Sequence, residues 1–209
     1  MAHQFGDLLA VRQRGAHLRG MSSALKLPSR RMTVAEFLDW DSGDYTGALW
    51  QLRDGEPERM APASDPHGSI QARLAQMLGV HLDARGGPCR IVIAPGVIPG
   101  ERSEMNCLIP DLGVTDTPPG ERLMLLIEIQ SPSNASETRA NVRGYRTIPT
   151  VREIVVLRSA AISAEILRRG PDETWPRQPD HVGADGVLRL DSIGFAAPLR
   201  DAYRTTVLV

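Results

Sequence analysis

Two carboxylates and an amide lie within two neighbouring apolar segments of the chain. Asp111 follows a proline in CLIPDLGVTD (107–116), and the run LMLLIEIQ (Leu123–Gln130) holds Glu128 and Gln130 two residues apart. In a β-strand, side chains two residues apart share one face, so Glu128 and Gln130 are expected to point the same way. An ionised carboxylate inside an apolar layer is costly unless a cation, a proton or hydrogen bonds compensate it. A compensating partner for Glu128 is therefore expected.

A divalent metal ion would compensate both acids if the two segments are adjacent strands. Mg²⁺ takes oxygen ligands, commonly one or two carboxylates with water and phosphate, and a bound cation keeps such acids ionised. Metal-assisted hydrolysis of a phosphodiester is the chemistry that this arrangement favours. Structural alternatives stay open: Asp111 could cap a strand end, Glu128 could pair with an arginine such as Arg139, and Gln130 could bond loop backbone groups.

Two further residues could extend such a site. His67 opens the predicted long helix within SDPHG and could contact phosphate or a metal-bound water, or it could be a surface residue of the first turn. Glu56 follows Asp54 and Gly55 in a predicted hairpin turn, where it could join the metal-binding carboxylates. Charged hairpin turns are also commonly solvated without any such role.

The elements that must position these residues follow from apolar spacing and from capping signals. A capping box in TVAEFLDW starts the first helix, Asp54-Gly55 marks a hairpin, and an apolar stripe ending at Gly86-Gly87 marks the longest helix. The predicted order is a helix over 33–41, a hairpin over 48–62, a helix over 64–86, strands over 89–95, 107–116 and 121–130, a helix over 135–146, paired strands over 151–159 and 162–169, a Pro-rich loop over 171–180, a strand near 186–191 and a short helix near 198–204.

This order predicts a single α/β domain. The strand–helix–strand passage over 121–159 implies a parallel pair joined by a crossover, and the three preceding strands can form an antiparallel meander. The expected core is therefore helix, three-strand meander, helix, strand, which forms a mixed sheet flanked by helices, with extra hairpins. Residues 1–31 are expected to be a disordered leader and residues 32–209 the domain.

Composition limits the partners. The 209 residues carry a formal net charge of −1, so no overall basic field indicates nucleic-acid or membrane binding, although a local cleft could still bind DNA. Lys26 is the only lysine. Two cysteines, Cys89 and Cys107, are too few for a disulfide framework and are typical of core thiols in a cytoplasmic protein. No apolar run approaches the roughly 20 residues that span a bilayer.

Four stretches of the chain resemble the Uma-two family of restriction-endonuclease-like proteins, within the PD-(D/E)xK nuclease superfamily. They are MTVAEFLDW (32–40), RDGEPERMAPASDPHGSIQARL (53–74), the IPD and IEIQSPSN pair, and NVRGYRTIPTVREIVVL (141–157). The resemblance implies a restriction-endonuclease-like fold and hydrolysis of DNA with Mg²⁺ or Mn²⁺ held by Asp111 and Glu128. It also makes a homodimer a reasonable expectation, since two strands must be cut.

The chain departs from the family pattern at the lysine. Gln130 stands where the superfamily has its lysine, and Asn141, four residues before Tyr145, stands where many Uma-type sequences carry one instead. Glutamine does occur at this position in active nucleases of the superfamily. The resemblance therefore implies a catalytic set of Asp111, Glu128, Gln130, His67 and Asn141. The alternative is a catalytically inactive nuclease-fold protein that acts as a nucleic-acid or protein interaction module.

Overall fold

A computed structural model describes residues 25–100, 104–116 and 122–209. Residues 1–24, the greater part of the predicted leader, lie outside the described residues. The elements, in chain order, are α1 (Val34–Leu38), β1 (Trp50–Arg53), β2 (Glu56–Arg59), α2 (Asp65–Arg85), β3 (Arg90–Ile93), β4 (Leu112–Thr115), β5 (Leu123–Gln130), α3 (Ala135–Tyr145), β6 (Glu153–Arg158), β7 (Ala164–Arg168), β8 (Asp180–Val182), β9 (Val187–Leu190) and β10 (Phe195–Pro198), followed by a 3₁₀ helix at Leu199–Tyr203.

A six-stranded mixed sheet forms the centre of the molecule. Its strand order is β3-β4-β5-β6-β7-β8. β5 and β6 are parallel, whereas every other neighbouring pair in this sheet is antiparallel. The predicted meander, the parallel pair and the mixed sheet are confirmed. Two separate hairpins, β1–β2 and β9–β10, lie outside this sheet.

The two longer helices cover opposite faces of the sheet. One face carries Leu125, Ile127 and Ile129 of β5, which belong to the same core as the buried leucines of α2. The other face carries Leu126, which packs in a second core with Tyr145 of α3. Because side chains alternate along a strand, Glu128 lies on the α3 face, at the end of an otherwise apolar stretch.

Local signals explain where the N-terminal elements begin and turn. The hydroxyl of Thr33 accepts from the Glu36 backbone N–H at 3.2 Å, and the Thr33 N–H donates to the Glu36 carboxylate at 2.8 Å, so the predicted capping box is present. Asp54 and Gly55 both have positive φ, 49° and 81°, as a two-residue hairpin turn requires. A Cβ at Gly55 would lie 2.9 Å from Cβ of Arg31, so this turn needs glycine for space as well as for φ.

The structure differs from the predicted elements at several places. The strand predicted over 107–116 is confined to β4, which begins after Asp111, because Pro110 cannot donate to a ladder. Cys107 and Leu108 form only isolated bridges, to Leu52 and Val97. β8 and β10 were not predicted, and the closing helix is a 3₁₀ helix. Ser64 is the N-cap residue of α2, but its side chain makes no capping bond.

None of the helices in the described ranges combines the length and the apolar character that a membrane span needs. Both cysteines are free thiols; Cys107 is buried and Cys89 half-buried.

Candidate active site

A cleft of about 1050 Å³ opens where the β1–β2 hairpin, the first turn of α2, the start of β4, the end of β5 and α3 meet. Its walls come from segments far apart in sequence. The ionisable and amide side chains that line it are Arg53, Glu58, Arg59, His67, Gln71, Asp111, Glu128, Asn134, Glu137 and Asn141. The cleft therefore places two strand-end carboxylates among polar groups from two helices and a hairpin.

Glu128 lies on the inner wall of this cleft and is only 6% exposed. Its Oε1 accepts hydrogen bonds from the Tyr145 hydroxyl at 2.6 Å and from the Asn141 side-chain amide at 3.0 Å. Burial and the nearby Asp111 carboxylate raise the pKa of Glu128 to about 8, while the two hydrogen bonds oppose this rise. Both bonds fall on Oε1, and no described residue donates to Oε2, so that oxygen is available to a ligand in the cleft.

Asp111, directly before β4, is held by three residues from two elements, α2 and β5. Its Oδ2 accepts from the Ile129 backbone N–H at 2.6 Å, and its Oδ1 lies 2.8 Å from Nε2 of His67. The Gln71 amide donates to the Asp111 backbone carbonyl at 2.9 Å. The bond to Ile129 connects Asp111 to β5 beside Glu128, so the two carboxylates share one corner of the cleft.

A second layer of polar residues surrounds this pair. Arg53 donates through Nη2 to the Asn141 carbonyl oxygen at 2.9 Å and through Nε to Glu58 at 3.0 Å. The buried Gln51 amide donates to Glu58 at 3.1 Å and to Glu137 at 2.8 Å. A continuous chain of hydrogen bonds thus runs from the hairpin through Asn141 to Oε1 of Glu128, which fixes the orientation of that carboxyl group.

Comparison with known proteins identifies the family. A profile described as "Putative restriction endonuclease", that of Uma2, matches residues 34–200. The chain belongs to the Uma2 family. A solved structure of a putative nuclease belonging to DUF820 from Anabaena variabilis ATCC 29413 is similar in fold, with a TM-score of 0.65 at 14% sequence identity, over 83% of this chain and 98% of that one. A search of curated proteins found no match.

The resemblance and the fold class predicted for this Uma2 chain are confirmed. The match spans every element from α1 to β10, and the family and fold together indicate a restriction-endonuclease-like nuclease. Within the described ranges, no three His, Cys, Asp or Glu side chains come together as a metal-binding group. Asp111 and Glu128 are the pair of carboxylates in the inner corner of the cleft that could hold a cation.

The structure brings together four of the predicted site residues of the Uma2 domain. Asp111, Glu128, His67 and Asn141 all line the cleft and are linked by the bonds given above. The partners of Glu128 are the neutral Tyr145 and Asn141, so the alternative ion pair with Arg139 is wrong.

Two predicted site residues lie elsewhere. Gln130 shares the strand face of Glu128 but lines a separate cavity of about 470 Å³, beside Arg158 and Ser163. Glu56 is exposed, and its carboxylate lies 3.6 Å from Nε of Arg31. It does not line the cleft, because the hairpin turn directs residue 56 outward.

Two residues of this Uma2 site were missed as members of it. Tyr145 follows Asn141 by four residues, one turn of helix, so the two side chains share a face; this spacing was visible in the sequence. Arg53 carries no such signal, because its contact with Asn141 joins residues 88 positions apart. Only the packing of the hairpin against α3 brings them together.

Proposed function

We propose that the protein is a divalent-metal-dependent nuclease that hydrolyses DNA phosphodiester bonds, with Mg²⁺ or Mn²⁺ held by Asp111 and Glu128. One observation carries the proposal. A buried glutamate whose pKa is raised to about 8 shares a solvent-accessible cleft with a second carboxylate that contributes to this rise. Without a cation the arrangement destabilises the ionised form of Glu128, and a divalent ion between the two acids would reverse that effect.

The donor set suits a hard cation. Asp111 and Glu128 offer only oxygen ligands, the type that Mg²⁺ and Mn²⁺ prefer. Oε2 of Glu128 takes no hydrogen bond from the described residues, while Tyr145 and Asn141 hold Oε1. Ligand carboxylates oriented by hydrogen bonds of this kind are typical of metal sites.

Each polar residue has a role that follows from its contacts. Asp111 is held by the Ile129 N–H, and His67 orients its other oxygen. Asn141 and Tyr145 orient Glu128 through its Oε1. A bound divalent ion would supply Lewis acidity and lower the pKa of an attacking water. In the reaction, the water oxygen bonds to phosphorus, the bond from phosphorus to one ester oxygen breaks, and that oxygen leaves with a proton.

Gln130 and Glu56 have no place in this proposed site, since neither lines the cleft. Lys26, the only lysine, donates at the surface to Asp41 at 2.9 Å and also lies outside the lining. The proposed catalytic set is therefore Asp111, Glu128, His67 and Asn141, with Tyr145 in support. A homodimer that cuts both strands is a further expectation, and light scattering of the protein with and without duplex DNA tests it.

The test combines metal binding and cleavage. Calorimetric titration with Mn²⁺ should give a binding isotherm for wild type and for Asp185→Asn, an exposed carboxylate remote from the cleft, and none for Asp111→Asn. Supercoiled plasmid and single-stranded DNA should then be cut by wild type and by Asp185→Asn in Mn²⁺, and not by Asp111→Asn or Glu128→Gln. A wild type that binds no Mn²⁺ would sink the metal-dependent mechanism.

The second candidate function is a nuclease fold without catalysis that serves as a nucleic-acid or protein interaction module. The observation that favours it is the pair of neutral amides, Gln130 and Asn141, at the two lysine positions. Mn²⁺ binding and DNA binding without cleavage under all of these conditions would favour this candidate over the enzyme.

A further inference from the structure

The guanidinium group of Arg53 lines the cleft and is linked through Asn141 to Glu128. Its side chain is 21% exposed. Glu58 holds it through Nε and Asn141 through Nη2, and Nη2 also lies 3.8 Å from the Glu137 carboxylate. Because Asn141 in turn donates to Glu128, Arg53 lies two hydrogen bonds away from the proposed metal ligand. A guanidinium fixed in this way loses little entropy when it binds a further acceptor.

One nitrogen of the Arg53 guanidinium is available to bind a ligand. A guanidinium has five N–H donors in a planar fork. In Arg53, Nε and Nη2 are used by Glu58 and Asn141, and Nη1 donates to no acceptor among the described residues. The planar fork suits phosphate oxygens in particular. The cleft therefore presents a fixed cationic donor close to the two carboxylates.

The other cations of the described chain are less suited to this role. Arg59 also lines the cleft, but it donates to Asp44 at 2.7 Å and to the Thr46 hydroxyl at 2.9 Å, which turns it toward the loop before β1. His67 is engaged by Asp111 at 2.8 Å. Lys26 lies outside the cleft lining. Arg53 is thus the cation that combines a fixed position, a free donor and a connection to Glu128.

We propose that Arg53 is a catalytic residue that binds a non-bridging oxygen of the DNA phosphate in the cleft and replaces the cation that a lysine would supply. This inference rests on the proposed nuclease function. Its role is electrostatic: the guanidinium stays protonated and stabilises negative charge on the phosphate, so it takes no proton from the attacking water.

A purely structural role makes a different prediction. If Arg53 only fixes the Asn141 amide, it acts through Asn141 and makes no contact with DNA. Its removal would then have no effect in an Asn141→Ala background, and it would not change the salt dependence of DNA binding. These two measurements separate contact from positioning.

The binding test uses the full chain and a fluorescein-labelled DNA duplex in Ca²⁺, followed by anisotropy at several salt concentrations. Arg53→Met should weaken binding about tenfold, in wild type and in the Asn141→Ala background alike. It should also lower the slope of log affinity against log salt by about 0.9, the value for one lost phosphate contact on duplex DNA. Arg53→Lys should restore the slope, because it keeps the charge. Arg200→Met is the control. Arg200 is an exposed partner of Asp185 and lies remote from the cleft, so this variant should match wild type.

The cleavage test uses single-turnover rates at saturating Mn²⁺ and DNA. Arg53→Met should slow cleavage about 100-fold, as removal of one charge-stabilising donor does, and Arg53→Lys should recover part of the rate. Arg53→Met should lower the affinity for Mn²⁺ less than Asp111→Asn does. If Arg53→Met does not fold, as judged by circular dichroism, the comparison of Arg53→Lys and Arg53→Gln replaces it.

The outcomes separate this proposal from the function on which it rests. If wild type cuts DNA, Asp111→Asn does not, and Arg53→Met matches Arg200→Met in both assays, the role of Arg53 is refuted and the nuclease function stands. If wild type binds DNA with the Arg53-dependent salt slope but never cuts it, the phosphate contact stands and the hydrolytic function falls. A wild type that neither binds nor cuts DNA overturns both.

Discussion

At Glu128, the chain keeps a carboxyl group where burial opposes its ionisation. Desolvation and Asp111 raise its pKa, and the bonds from Tyr145 and Asn141 offset only part of that effect. A carboxyl group of this kind contributes little to the free energy of folding above neutral pH. Such a carboxyl group is a favourable ligand in a cation-binding site, because little water reaches it to compete with the ion.

Glu128→Gln should therefore stabilise the metal-free protein at alkaline pH. The pKa of Glu128 is about 8 in the folded protein against an ordinary value of 4.5. Between these two values the unfolded chain holds fewer protons, so wild-type stability falls as pH rises through this window and levels off above it. Glutamine keeps an oxygen for Tyr145 and Asn141 and has no such loss.

Urea unfolding in EDTA at pH 5 and pH 8.5 measures this difference. The gain in free energy of unfolding of Glu128→Gln over wild type should increase by about 3–4 kcal/mol between the two pH values. A gain that stays constant, or a variant less stable than wild type at pH 8.5, contradicts the buried-carboxyl account.

Tyr145→Phe should weaken metal binding while it leaves the fold intact. The Tyr145 hydroxyl donates to Glu128 and lowers the pKa of that carboxyl, so its loss makes the proton harder for a cation to displace. We expect Mn²⁺ affinity at pH 7 to fall by roughly tenfold, as for other residues that orient metal ligands. Calorimetry measures it.

Tyr203→Phe is the matched control for that experiment. Tyr203 is also buried, but its hydroxyl donates to the backbone carbonyls of Arg158 and Ser163, at 3.0 and 3.1 Å, away from the cleft. Its loss should leave Mn²⁺ affinity unchanged. Equal affinities for wild type and Tyr145→Phe would mean that Tyr145 does not act on the metal ligand.

At the scale of elements, α3 has two roles, and the sequence predicts each of them in part. It connects the parallel strands β5 and β6, which the apolar runs on either side of a polar helix indicate. It also brings Asn141 and Tyr145, one helical turn apart, onto Glu128. The spacing of Asn141 and Tyr145 was visible in the sequence. Which carboxylate they contact depends on how α3 packs on the sheet, and no local pattern predicts that packing.

The errors in the predicted elements have a common physical origin. β8 was missed because it is a short, polar edge strand whose position depends on β7, and β10 because its pairing with β9 depends on a tight turn at Gly194. Gln130 has the predicted strand face but lines a different cavity, together with Pro132 and Ala135 of the turn that leads into α3. Long-range packing, rather than local preference, decides each case.

Glu153 at the start of β6 should be a strong determinant of stability. It is 2% exposed, and its carboxylate accepts from Nε of Arg168 at 2.9 Å and from the backbone N–H groups of Asp191 and Ser192 at 3.0 and 2.8 Å. It thereby fastens the segment after β9 to the central sheet. Glu153→Ala leaves the two backbone N–H groups without this acceptor, while Nε of Arg168 keeps the Asp191 carboxylate at 3.0 Å, and we expect a loss of about 3 kcal/mol.

Glu165→Ala provides the comparison for Glu153→Ala. Glu165 lies on the neighbouring strand β7 and accepts from Arg158 at 2.6 Å, but the side chains are 30% and 41% exposed. Loss of this more solvated pair should cost less than about 1 kcal/mol. Similar losses for both variants in urea unfolding would refute a special role for the Glu153 link.

At the scale of the whole molecule, the cleft is poorly suited to bind DNA by charge alone. Its lining includes Glu58, Asp111, Glu128 and Glu137, against the guanidinium groups of Arg53 and Arg59, and the protein has a formal net charge of −1. Phosphate backbones are attracted mainly by positive charge. A divalent ion at Asp111 and Glu128 would change the balance in the inner corner of the cleft.

DNA binding should therefore depend on divalent ions. Without them the acidic residues Glu58, Asp111 and Glu137 of the lining repel the phosphate backbone, whereas an ion held by Asp111 and Glu128 offers phosphate a ligand position. We expect the affinity for a labelled duplex to rise at least about tenfold between EDTA and Ca²⁺ at fixed ionic strength. Asp111→Asn should lose this increase while Asp185→Asn keeps it. Equal affinities of wild type in EDTA and Ca²⁺ would mean that DNA is held by surfaces other than this cleft, and that a cation at Asp111 and Glu128 has no part in recognition.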